Sequence, residues 1–303
     1  MSEPCGILVV NKPIGMTSHD IVGRVRRLFG TRRVGHTGTL DPLATGVLVV
    51  LIGRAAKAAE YLVCDEKSYR ATMRLGLTSD TEDITGTLIP SEHPLPSTEQ
   101  VLEACRGFIG QIEQIPPMYS ALKVNGQKLY DLARRGITVE RQARPITVHA
   151  LTATPTETQT DYILDVTCSA GTYIRTLCAD IGASLGCGAV MATLERTAAG
   201  GFPIENSHTL EELEGMNEDA RLACLLPTET LFSSLPACHL PAFYERLFRS
   251  GCEIYQKKIG SHFALGARVR ICTADGKFFA LGEVREYEDG SAIKSIKLFD
   301  LEA

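Results

Sequence analysis

The chain has 303 residues, 44% of them hydrophobic and 22% charged, with a formal net charge of −5. This length and apolar content suit two folded domains and exclude a disordered polymer. No apolar run approaches the ~20 residues of a membrane-spanning helix, and Met1 to Pro4 lack a basic segment followed by an apolar stretch, so a cytoplasmic protein is expected.

In chain order, Gly6 to Val10 is a short apolar strand running into Asn11-Lys12-Pro13-Ile14-Gly15-Met16-Thr17-Ser18. Thr17 or Ser18 can cap a helix whose apolar positions Ile21, Val22, Val25, Leu28 and Phe29 recur at helical spacing, and Gly30 ends it. Next comes Gly35-His36-Thr37-Gly38-Thr39-Leu40-Asp41-Pro42-Leu43-Ala44-Thr45-Gly46-Val47-Leu48, which holds a single carboxylate in a constrained loop. Gly35, Gly38 and Gly46 permit conformations or close approaches that side chains forbid, and Pro42 biases Asp41 toward an extended conformation. The loop enters Val47 to Ile52, which reads as a buried strand, so Asp41 is mounted at the edge of a core element. A rigid carboxylate suits nucleophilic catalysis; taken alone, it equally suits a turn in which Asp41 bonds nearby backbone N–H groups.

Arg54 to Val63 reads as a short helix, and Lys67 to Leu75 as a strand with Tyr69, Ala71, Met73 and Leu75 on one inward face. Thr78 to Gly86 is polar, and Asp80 with Asp83 falls short of the ligand series of a calcium loop. Thr98 to Phe108 is a helix capped by Ser97, Pro116-Pro117 a stiff connector, and Gly126 to Arg144 a mobile basic insert. Thr147 to Leu151 and Tyr162 to Cys168 are strands, and Ser169 to Leu177 leads into a helix that stops near Gly186. After Thr209, leucines in an acidic context predict one or two packed helices, and Pro236 to Pro241 a linker. Val269 to Cys272, Phe278 to Leu281 and Ala292 to Leu298 are strands joined at Asp275-Gly276 and Asp289-Gly290, a hairpin-rich β pattern.

Ten cysteines from Cys5 to Cys272 include no C-x-x-C pair, which argues against a zinc site and a disulfide framework. Charge is uneven along the chain. Residues 1–70 hold ten basic and six acidic groups and residues 123–144 six and two, whereas residues 204–233 hold one and seven. The two basic regions can form one nucleic-acid-facing surface, or two solvated faces.

The run Gly35 to Leu48 resembles the catalytic motif of the TruB family, the bacterial tRNA pseudouridine-55 synthases. Further blocks resemble that family in order: Lys12 to Ser18, Lys67 to Ala71, Gln114 to Lys123, Ser169 to Leu177 and Leu194 to Thr197. The resemblance implies that Asp41 is the nucleophile, that Tyr69 and Arg175 complete the catalytic set with Arg175 paired to Asp41, and that His36, Tyr69, Tyr173, Leu194 and Lys12 bind substrate. It implies neither metal nor cofactor. Its substrate is the T-arm of tRNA, acted on by a monomer that needs no guide RNA, obligate protein partner or membrane. The fold implied is α+β: a mixed, largely antiparallel sheet with flanking helices over residues 1–235, with a thumb-like insert at about 124–146. A small β-barrel-like PUA domain follows over 236–303. Ala170 and Glu195 stand where many members carry Lys and Arg, which removes positive charge from phosphate contacts rather than from chemistry. A non-catalytic RNA binder is the competing class, and a guide-dependent synthase the nearest enzymatic one. A glycoside hydrolase wants two carboxylates across the bond.

Overall fold

The computed structural model describes residues 3–62, 66–120, 122–124 and 126–299. Strand β1 (Gly6–Lys12) is buried almost throughout, because both its faces are covered. Helix α1 (Ser18–Leu28) begins at Thr17, whose hydroxyl accepts from Asp20 N while the Asp20 carboxylate accepts from Thr17 N, and it ends before Gly30 at φ +61°. Then follow β2 (Val34–His36) and β3 (Thr45–Ile52). The short helix expected here is the 3₁₀ helix Gly53–Tyr61; Val63, the predicted end, lies outside the described residues.

Strand β4 (Glu66–Leu75) turns Tyr69, Ala71, Met73 and Leu75 inward, as the alternation predicts. The small hairpin β5 (Leu77–Ser79) and β6 (Leu88–Pro90) precedes α2 (Thr98–Gly107), which carries a capping box from Ser97 to Gln100. Strand β7 (Gly110–Gln114) leads to the hairpin β8 (Lys123–Val124) and β9 (Gln127–Lys128) and to α3 (Leu129–Arg134). Next come β10 (Arg144–Pro155), β11 (Asp161–Ser169), α4 (Ile174–Ser184), β12 (Ala189–Ala199) and β13 (Phe202–Pro203). The acidic stretch forms two short helices, α5 (Leu210–Gly215) and α6 (Glu218–Ala223).

The main sheet runs β1-β3-β12-β4-β11-β10-β7, with β2 beside β3 and β13 beside β12. Its pair β3–β12 is parallel and its other pairs are antiparallel. Helices α2 and α4 cover one face through Val101, Cys105, Leu177, Cys178 and Ile181, packed on Ala71, Met73, Leu164 and Val166. Helices α1 and α5 pack on β1 and β3 through Ile21, Val22, Val25 and Leu213. The outer edge of β1 is closed by paired backbone bonds to Leu226 and His208, so this strand offers no free ladder at those positions.

The predicted linker at Pro236 to Pro241 is instead a strand, β14 (Ala237–Leu240), bracketed by the two prolines. It is followed by α7 (Ala242–Arg249), β15 (Ile254–Tyr255), α8 (Gln256–Ile259), β16 (Arg268–Thr273), β17 (Phe278–Tyr287) and β18 (Gly290–Leu298). These strands form a second sheet, β14-β16-β17-β18-β15, an open path rather than a closed barrel. Leu281 and Phe299 of this unit share a buried cluster with Ile7, Val9, Val49 and Phe232, and the Phe232 and Phe299 rings lie 5.6 Å apart. The second sheet is thus seated on the free face of β1 and β3.

Candidate active site

The loop before β3 is held from three sides. The Ser18 hydroxyl donates to Leu40 O at 3.2 Å and accepts from Leu40 N at 2.8 Å, and Pro42 O accepts from Gly15 N at 2.8 Å. Arg196, on β12 and only 1% exposed, donates to Val47 O (2.7 Å), Gly38 O (3.1 Å) and Thr39 O (3.4 Å). Gly46 has φ +96°, and a Cβ there would lie 2.3 Å from Arg196 O, so only glycine lets β3 approach β12 this closely. Gly38 makes a close approach to Lys67 and Arg196, whereas Gly35 has open space and an ordinary φ, so the conformation or close approach expected of the three glycines is found at Gly46 and Gly38 and not at Gly35.

Asp41 stands on this loop, 40% exposed, with Oδ2 3.0 Å from Nε of Arg175 in the first turn of α4. The contact is single rather than bidentate, because the other guanidinium nitrogens are engaged elsewhere. Nη1 donates to Thr81 O at 3.0 Å and Nη2 to Tyr119 O at 2.8 Å. Asp83, 6% exposed, brings its Oδ2 to 3.8 Å from Nη1, while its Oδ1 accepts from Thr81 Oγ1, Thr85 N and Thr85 Oγ1. Between Thr81 and Asp83, Glu82 takes a left-handed φ of +63°, which turns the Thr81 carbonyl and the Asp83 carboxylate toward one guanidinium. The Glu82 carboxyl accepts from Thr176 Oγ1 at 2.5 Å, and burial pushes its pKa up. Arg175 is therefore clamped by backbone and a second carboxylate, with Nε left for Asp41.

Two cavities meet at Thr39, Asp41, Ser120 and Arg175. The smaller, about 310 Å³, is walled by Leu40, Tyr69, Tyr173, Ile174 and Leu194. The larger, about 850 Å³, reaches past Thr85 and Thr87 to Tyr130 and Arg134 of α3. Tyr69 is 8% exposed; burial raises its phenol pKa while Arg196 beside it works the other way, so the ring is a neutral phenol at neutral pH. Tyr173 is fixed through its backbone by Gln114, whose amide oxygen accepts Tyr173 N (2.8 Å) and whose nitrogen donates to Tyr173 O (3.1 Å).

Five of the predicted site residues, Asp41, Tyr69, Tyr173, Arg175 and Leu194, line the smaller cavity together. Lys12 and His36 line neither cavity. Lys12 is fully buried, its ammonium donating to Pro13 O (2.9 Å) and Met16 O (2.7 Å), so its position is that of an anchor for the turn under the loop. Burial lowers its pKa to about 8, against the opposing pull of Asp41. His36 sits at the end of β2; burial, then Arg196 and His19, lower its pKa, so the ring is uncharged at neutral pH. Asp83, Gln114, Ser120 and Arg196 complete the site; sequence singled out only Asp83 among them, and only as a weak metal-ligand candidate.

Residues 26–174 match the model of the TruB family pseudouridylate synthase N-terminal domain, and residues 175–233 that of the tRNA pseudouridylate synthase B C-terminal domain. The chain belongs to the TruB family. It is 40% identical over 295 residues to tRNA pseudouridine synthase B of Clostridium kluyveri, covering 97% of this chain and 99% of that one. To the Haemophilus influenzae protein of the same name it is 41% identical over 293 residues, covering 95% and 92%. Among solved structures, a Cbf5-Nop10-Gar1 complex is matched with TM-score 0.75 and 26% identity over 97% of this chain and 85% of that one. An H/ACA RNP bound to a substrate RNA containing 2′-deoxyuridine is matched with TM-score 0.74 at 24% identity, over 98% and 85%, a likeness of fold. This coverage takes in the second sheet, so the TruB-family chain carries the α+β synthase fold together with a PUA-like C-terminal region.

Proposed function

We propose that this TruB-family isomerase converts uridine to pseudouridine at position 55, in the T-arm loop of tRNA, acting alone and through Asp41. The observation that carries the reading is the Asp41–Arg175 pair at the mouth of a uridine-sized cavity walled by Tyr69 and Leu194. The net change breaks the C1′–N1 bond, forms C1′–C5 and exchanges the C5 proton for one on N1, so no atom is gained or lost. A carboxylate held at its loop by Arg175 supplies the nucleophile. Tyr69, neutral and buried, packs on the ring and presents a hydroxyl to it.

The target base is stacked in the folded T-arm, so it must be flipped out, at a cost of a few kcal/mol. His36 is the flat, uncharged ring proposed to hold the vacated stack. Lys12 supports the turn beneath the loop. Tyr130, flanked by Lys128 (5.4 Å) and Arg134 (5.5 Å), equips the 124–146 insert to close on RNA. Residues 1–235 are read as the catalytic domain and 236–303 as the unit that adds RNA affinity.

The test is incubation of the chain with unmodified tRNA transcript and mapping of the pseudouridine formed, with Asp41→Asn alongside. Modification confined to the T-arm and absent with Asp41→Asn is expected. Turnover by Asp41→Asn, or modification elsewhere in the tRNA, would refute the reading.

A further inference from the structure

We propose that the Ser120 hydroxyl is a substrate contact, one that hydrogen-bonds a polar group of the flipped uridine beside the Tyr173 phenol. This rests on the smaller cavity being the uridine site. Ser120 is 5% exposed, and its Oγ has no hydrogen-bond partner among the described residues. The large majority of buried side-chain polar atoms are satisfied, because an unpaired one forfeits its bonds to water. Four other buried side-chain atoms are unpaired among the described residues, on Arg26, His36, Arg141 and Arg221; of the five, Ser120 alone lines the cavities that hold Asp41.

The position of Ser120 is fixed rather than incidental. The carbonyl just before it, Tyr119 O, accepts Arg175 Nη2 at 2.8 Å, and its own carbonyl accepts Tyr130 N from α3 at 3.1 Å. One peptide is thus tied to the guanidinium that holds Asp41, and the next to the basic insert. The Tyr173 phenol is the polar neighbour of Ser120: burial raises its pKa and the nearby Ser120 hydroxyl works against that rise, although the two do not meet at full hydrogen-bond geometry. Two hydroxyls therefore face a cavity whose wall combines the apolar side chains of Leu40, Ile174 and Leu194 with the Asp41–Arg175 pair. The two hydroxyls can both donate and accept. That matches the imide edge of a uracil ring, which alternates acceptor and donor, and also a ribose 2′-hydroxyl.

The test uses the full chain with Ser120→Ala and Ser120→Cys, both near in size and neither able to replace the hydroxyl. On tRNA transcript, kcat/KM should fall by roughly five- to tenfold, the scale of one neutral hydrogen bond. Tm should hold or rise, since the folded state loses an unpaired buried group. Binding is then compared between RNA carrying uridine and RNA carrying 2′-deoxyuridine at the target. A defect that disappears with 2′-deoxyuridine places the contact on the ribose; one that persists places it on the ring. Variants within twofold of wild type on both RNAs overturn the proposal, as does a loss of activity that tracks a loss of Tm. A wild-type chain that forms no pseudouridine fails the functional reading itself, a separately visible result.

Discussion

Replacing Arg196 with Met should loosen the Asp41 loop. The guanidinium holds three backbone carbonyls, and its 2.7 Å and 3.1 Å bonds, to Val47 O and Gly38 O, are the ones of good length. A bond from a charged donor contributes about 1.5 to 3 kcal/mol, but burying the cation among neutral partners costs several kcal/mol. The two nearly offset in the wild type. What truncation exposes is the penalty of stranded acceptors, about 1 to 3 kcal/mol each, so roughly 3 kcal/mol in all. For a chain of 303 residues, with an unfolding entropy of about 2.1 cal/mol/K per residue, that is a fall in Tm of about 5 °C. Thermal and urea unfolding read the stability, and single-turnover pseudouridine formation reads the loop. The rate at saturating RNA should fall further than affinity, because Asp41 loses its aim while the cavity walls remain. Arg196→Lys, which keeps the charge but not the fork, should lie between. A Met variant within 2 °C of wild type and with an unchanged rate would refute the anchoring argument.

Other changes test neighbouring steps. Arg175→Met should lower the rate by about a hundredfold or more, with a smaller effect on RNA binding, while also costing roughly 3 kcal/mol because Asp83 is left charged and buried; adding Asp83→Asn should restore stability but not activity. Equal losses of binding and rate would instead make Arg175 a phosphate contact. Gly46→Ala should destabilise by about 3 kcal/mol or more, measured by urea unfolding, since its Cβ meets the Arg196 carbonyl and its φ is left-handed. Lys12 titrates near 8 when folded and near 10.5 when unfolded, so its burial penalty is complete below pH 8, and stability should rise from pH 8 toward 10.5 by up to about 3 kcal/mol. Unfolding of wild type and Lys12→Met across that range checks the sign: the rise should be missing from the variant.

The parts of the site legible in the sequence are those whose evidence is local. Asp41 lies between a proline and glycines, Tyr69 falls on the inward phase of an alternating strand, and Thr17 and Ser97 cap helices from neighbouring positions. Gln114, Ser120 and Arg196 were not legible because their partners lie far along the chain: Gln114 meets Tyr173, Tyr119 next to Ser120 meets Arg175, and Arg196 meets Gly38; Asp83 was noticed only as a weak metal ligand, because its approach to Arg175 is likewise distant in sequence. Strand β12 was missed for a related reason. Its Arg196 is polar yet buried, which breaks the apolar alternation that announces a strand. The Pro236 to Pro241 segment was misread because prolines bound linkers and edge strands alike, and β14 is an edge strand of the second sheet.

Glu195 shows that phase along a strand outranks position along the chain. As a departure from a basic family position, it pointed to a weakened phosphate contact. Yet β12 and β4 pair Leu194 with Ala71, Glu195 with Arg70 and Arg196 with Tyr69. Leu194 lines the smaller cavity, so Glu195, one residue on, must face the opposite side of the sheet. There it lies opposite Arg70, which is bonded to Asp165 at 2.8 Å on the next strand. The acid thus belongs to an exposed cross-strand row of alternating charge, where each pair contributes a few tenths of a kcal/mol. Glu195→Arg should accordingly set two arginines opposite each other and lower stability by about 0.5 kcal/mol, with tRNA affinity at fixed salt unchanged. Tighter binding by that variant, with a steeper dependence on salt, would show that RNA wraps past the cavity onto this second face.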